Sequence, residues 1–141
     1  LTFDGRALHR RIDVKREDVG RFEKLKAQLD SLYQEISILA KKSPNDAVNA
    51  FKIRFVNLTL DEYNKCLGDR YKPFPGFETF SVEDMPSNSD VALIIAQHIE
   101  CAEKFRADNI KYNYGDLNWY WKLDDKGEQI VTSAPKKITN K

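Results

Sequence analysis

No run of about 18 apolar residues occurs anywhere in the chain, so no segment is long and apolar enough to cross a bilayer as a helix. Cysteine is scarce. The two present, Cys66 and Cys101, are too few for a disulfide framework, and both sit beside apolar neighbours in segments of helical spacing. That placement predicts buried free thiols and a reducing, cytoplasmic setting. The first residues, Leu1 to Gly5, lack the apolar core of a secretory signal, and the absence of a leading Met is what a piece of a longer chain would show. Neither sign of charge is in excess: 23 Lys plus Arg stand against 22 Asp plus Glu, which argues against a globally basic nucleic-acid binder. Motifs of catalysis are missing as well. There is no zinc-ligand spacing, no glycine-rich phosphate loop after a strand, no nucleophile elbow, and no Glu-x-x-His pair on each of two helices. The sequence therefore nominates no catalytic residue, no metal and no cofactor.

What is present is periodicity. Between Asp18 and Lys42 the large apolar residues fall at Phe22, Leu25, Leu29, Leu32, Ile36 and Leu39, alternating steps of three and four that only an α-helix places on one stripe. Such a stripe has to be covered by another helix, from the same chain or from a partner. The seam is shorter than the three to four heptads of a coiled coil, which favours an ordinary bundle helix. Asp18 is its expected cap, with Lys41 and Lys42 at its negative end. Ser43-Pro44-Asn45-Asp46 reads as the start of a second helix, because Ser can cap and Pro fits the first helical position. Its apolar residues form two stripes, Val48, Phe51, Phe55 and Leu58 on one and Ile53, Val56, Leu60, Tyr63 and Leu67 on the other. The combined face predicts a central, most buried helix that stops at Gly68.

From Asp69 to Pro86 three prolines and a glycine exclude regular structure, yet Tyr71, Phe74, Phe77 and Phe80 predict a loop lying across the helices. Ser87 and Asp90 then repeat the capping pattern, and Val91, Ile94, Ile95, Ile99, Ala102 and Phe105 mark a third helix to about Asn109. His98 shares the line of Val91, Ile94 and Phe105, the position of a hydrogen-bonded, partly buried histidine. Beyond Ile110 the period becomes two: Tyr112 and Tyr114 alternate with polar residues, and Trp119, Trp121 and Leu123 share one strand face. Asp124-Asp125-Lys126-Gly127 is a turn sequence, and Ile130 to Thr132 suit the returning strand.

The expected fold is mainly α, a bundle of three long helices with an aromatic-rich loop and a C-terminal β-hairpin. Residues 1–141 read as a single helical domain: a basic N-terminal arm (1–17), the helical bundle (18–110), the hairpin (111–134) and a basic tail (135–141). Candidate binding residues come from two sources. Arg10, Arg11, Lys15 and Lys136 are cations able to meet phosphates. Tyr114 and Tyr120 are aromatics free to face outward while Trp119 and Trp121 enter the core. Function is then expected to be non-enzymatic, a protein-binding or self-associating subunit of a larger complex with no membrane role. A nucleic-acid-binding subunit using the basic termini is the first alternative. A magnesium-dependent nucleotide hydrolase drawing on Glu62, Glu100, Glu103 and Asp108 is the second.

Overall fold

A computed structural model describes residues 13–136, and its longest element is the seam helix, α1 (Arg16–Lys42). Every seam position points inward: Phe22, Leu25, Leu29 and Ile36 are fully buried and Leu32 and Leu39 pack against them, with Val19 adding one position at the start. The helix begins two residues before the expected cap at Asp18. Its cap residue is Lys15, whose side chain caps nothing, while Asp18 lies in the first turn, where a carboxylate favours the positive end of the helix. A tertiary anchor sets this start. The Val14 amide donates to Lys122 O (2.8 Å), Val14 O accepts from Asp124 N (2.9 Å), and the Arg16 guanidinium grips Asp125.

The second helix, α2 (Ala50–Leu67), departs further from expectation, starting at Ala50 and not at Pro44. Asn49 is the true cap, accepting from Lys52 N at 2.8 Å. The residues of the expected first turn pair instead with the start of the third helix, α3 (Asn88–Asp108). Val48 N donates to Pro86 O, Asn88 N to Asp46 O and Ser89 N to Pro44 O. Backbone pairing across space outweighs a local capping signal here, because the Pro44 and Asp46 carbonyls and the Val48 amide are engaged with the start of α3 and not within a helical turn. Ser87 caps α3 as expected, accepting from Asp90 N.

Helix directions follow from the partners. Arg21 meets Glu62 and Glu35 meets Lys52, so α1 and α2 are antiparallel. Phe22 packs on Phe105 (centroids 5.3 Å) while Asn88 Nδ2 donates to Ser43 O at the far end of α1, so α3 is also antiparallel to α1. The main packing is between α1 and α3. The second helix is accordingly not the most buried: Ile53, Val56, Leu60, Tyr63 and Leu67 enter the core, but Phe51, Phe55 and Leu58 do not.

The aromatic loop lies across α2 and α3. Asn57 brackets Phe80, its amide donating to Phe80 O and accepting from Phe80 N, both at 2.9 Å. Tyr71 stands edge-on to Phe105, and its hydroxyl donates to Asp108 (2.6 Å). Burial, with that carboxylate, pushes the Tyr71 phenol up to about 12. Cys66 and Cys101 are free and half-buried, and burial raises both thiols. Among the described residues no helix is long and apolar enough to cross a membrane.

The expected hairpin is a three-stranded antiparallel sheet. Strand β1 (Ile110–Asn113) pairs with β2 (Asn118–Trp121), which pairs with β3 (Val131–Thr132). Ile110 lies opposite Trp121 and Tyr112 opposite Trp119, and on this face Ile110, Trp121 and Trp119 pack into the core while the Tyr112 ring lies against Trp119. A two-stranded ribbon is marginal in water, and both the third strand and this docked face supply what it lacks.

His98 is fully buried. Its Nδ1–H donates to Ile94 O (2.8 Å), the rings of Tyr63 and Phe77 stand edge-on to it, and its Nε2 has no partner among the described residues. Burial depresses its pKa from 6.5, and the hydrogen bond to Ile94 offsets only part of this. Because the unfolded chain takes up a proton that the folded one refuses, stability is complete above the unfolded value and declines as pH falls through about 6.5. The slope below that point approaches about 1.4 kcal/mol per pH unit at most. Urea midpoints between pH 8 and pH 5 will show the decline in the natural chain and a flatter profile in His98→Met. Equal slopes in the two proteins would refute the assignment.

Candidate interaction surface

On α2 the spacing of Phe51, Phe55 and Leu58 places them on one helical face, beside and distinct from the face that enters the core. Both flanks of the core face are occupied. On one, Lys52 and Glu62 reach across to Glu35 and Arg21 of α1. On the other, Asn57 and Asn64 hold the backbone of the aromatic loop. What is left over faces water: Phe51 is 61% exposed, Phe55 42% and Leu58 56%. Phe51 and Phe55 stack edge to face at 4.9 Å, and the Arg54 guanidinium lies 5.6 Å from the Phe51 ring centre. Single exposed apolar residues are ordinary on a protein surface; three in register on one helix are a patch.

That patch forms one wall of a groove. Phe55 and Leu58 face Lys24 and Gln28 of α1 across a hollow of about 490 Å³ floored by Leu25 and Thr59. It continues along α1 past Ala27 and Ser31, where small side chains keep the wall low. The Arg21–Glu62 pair closes one end, and its hydrogen bond, with the nearby carboxylate charge, holds the Arg21 guanidinium above its ordinary pKa. The result is an open channel between two helices with an apolar wall at Phe55 and Leu58 and a polar rim at Lys24 and Gln28.

The residues nominated by sequence lie elsewhere. Arg10 and Arg11 fall outside the described residues. Lys15 is exposed at the start of α1. Tyr114 lies in the β1–β2 turn, 84% exposed, with its ring on Tyr112. Tyr120 donates its hydroxyl to Asp116 and so fastens the same turn. Among these residues no hydrogen bond, ion pair or ring contact joins Lys15, Tyr114, Tyr120 and Lys136 to one another. Lys136 has a different role in the backbone, donating its amide to Glu103 Oε2 (2.8 Å).

That contact belongs to a buried ion pair the sequence reading did not single out. Arg106 Nε and Nη2 donate to the two oxygens of Glu103 at 3.0 and 2.8 Å, and both groups are almost completely buried. The remaining guanidinium protons go to Thr132 Oγ1, Ser133 O and Ala134 O, so every donor of Arg106 is used. Glu103 thus serves as a structural anchor. The other carboxylates considered for magnesium are also dispersed: Glu62 pairs with Arg21 and Asp108 accepts from Tyr71. Among the described residues no three His, Cys, Asp or Glu side chains gather in a geometry that could hold a metal ion.

The Phe51 stripe is legible in the sequence as apolar, but it faces water and not the core. The signal that distinguishes it is its outer flank, where Arg54 and Asp61 are charged and exposed. Neither family models, nor curated proteins, nor solved structures yielded a match to this chain.

Proposed function

We propose that this chain is a non-enzymatic helical interaction module that binds another protein chain on the exposed face of α2, beside the groove between α1 and α2. The observation that carries this reading is the Phe51, Phe55, Leu58 stripe left in water on a helix whose opposite face fills the core. Burying a Phe or Leu side chain completely is favourable by about 1.5–3 kcal/mol, so covering these partly exposed groups supplies a useful share of a binding energy. The groove beside the stripe supports the same reading, since it leaves the edges of Phe55 and Leu58 uncovered on the side of α1 as well and so widens the surface open to a partner.

Immobilised natural chain and its Phe55→Glu variant, each incubated with native cell extract, give the direct comparison. The expected result is protein held by the natural chain and lost from the variant, with the helical circular dichroism of the two unchanged. Identical capture by both, or none by either together with a strictly monomeric chain in light scattering, would overturn the proposal.

A further inference from the structure

We infer that the occupant of this face is a second copy of the same chain, docked α2 against α2 in antiparallel orientation about a two-fold axis. The inference rests on the interaction reading above and identifies its partner. The first observation is the repeat: Phe51, Phe55 and Leu58, followed by Glu62 and Lys65, continue the alternation of four and three along the exposed face, the spacing of a helix–helix seam. The second is the charge beside it. Arg54 and Asp61 are seven residues apart, so they occupy the same flank of that seam, both are exposed, and neither makes an ion pair among the described residues.

In an antiparallel pair of helices each flank meets its own copy, whereas in a parallel pair it meets the opposite one. The register that sets Phe55 against Leu58 of the second copy brings Arg54 opposite Asp61 of the second copy. Two-fold symmetry then makes the same pair again at the other end. A parallel arrangement offers nothing comparable, because the opposite flank holds Lys52, Thr59 and Cys66, which lie toward α1, with Lys52 already on Glu35. The ends of the seam fit as well. Phe51 falls opposite Glu62 of the second copy, whose carboxylate is already neutralised by Arg21. The pattern is self-complementary, so a second copy satisfies it without any other partner. One face of an 18-residue helix is a small interface, so a dissociation constant in the micromolar range is expected.

Sedimentation equilibrium on the full chain, from about 1 to 500 μM, reads this out, with circular dichroism checking that each variant is folded. The natural chain should dimerise. Arg54→Asp and Asp61→Arg should each weaken dimerisation by about tenfold or more, because each sets like charges together twice. An equimolar mixture of the two variants should recover the natural affinity within a few-fold, since the mixed pair again places acid opposite base at both positions. Failure of the mixture to recover, variants that dimerise as the natural chain does, or a natural chain that stays monomeric throughout would each overturn the inference. A monomeric chain that still captures protein in a Phe55-dependent way would remove the second copy as occupant and leave the interaction reading standing. A monomer that captures nothing would remove both.

Discussion

Arg106→Ala will lower the unfolding free energy by about 3–5 kcal/mol, read from the urea midpoint at neutral pH, and will release the segment after β3 to proteolysis. The size follows from what remains. Removing the guanidinium leaves the Glu103 carboxylate buried with a single strong donor, the Lys136 amide, and strips partners from Thr132, Ser133 and Ala134 at once. An ion pair in such a place contributes little net stability beside an apolar pair of the same shape, but half of it is far worse than either. The double variant Glu103→Leu with Arg106→Met should therefore be at least about 2 kcal/mol more stable than Arg106→Ala alone. If the double variant is the less stable of the two, the penalty does not come from the orphaned carboxylate. Acid supplies an independent check. Burial by itself would raise the Glu103 pKa, but the Arg106 hydrogen bonds and charge, with the Lys136 amide, bring it below its ordinary 4.5. Stability from this pair is accordingly complete above 4.5 and lost as pH falls through the depressed value, a window below that of His98.

The fold was legible where one physical signal acted alone. Phe22 through Leu39 could be read because a stripe of that spacing has one solution, and Ser87 because nothing else competes for the amide of Asp90. It failed where two signals competed. Pro44 and Asp46 fit a helix start, yet their carbonyls are taken by the backbone of Ser89 and Asn88, a pairing that depends on residues more than forty positions away. Phe51, Phe55 and Leu58 have the composition of core, and whether an apolar stripe is covered depends on the count and direction of neighbours, which periodicity does not encode. The Glu103–Arg106 pair is spaced like any surface ion pair on a helix. Only the return of residues 132–136 over it makes it buried. The basic ends, by contrast, were chosen for charge alone, and Lys136 is used through its backbone.

Phe22→Ala is the other substitution of large effect, with a loss of about 3–5 kcal/mol expected in urea or thermal unfolding. Phe22 is where three parts of the chain meet. Its ring packs on Phe105 of α3 at 5.3 Å and stands edge-on to Trp121 of β2 at 5.4 Å, and all contact with solvent is closed off. Truncation there removes the transfer energy of the ring and leaves a cavity that neither the rigid α1–α3 packing nor a strand fixed by its neighbours can collapse to fill. Trp121 is almost wholly buried and its Nε1 has no hydrogen-bond partner among the described residues, so a void opened beside it gives water a polar group to reach. The variant should consequently show a red shift of tryptophan emission while still folded, ahead of any loss of helical circular dichroism. Phe51→Ala is the matching control: the same side chain removed from an exposed site should change monomer stability by no more than about 0.5 kcal/mol. Equal losses for the two substitutions would mean that the stripe on α2 is held in the interior after all, and the surface on which the dimer is built would not exist.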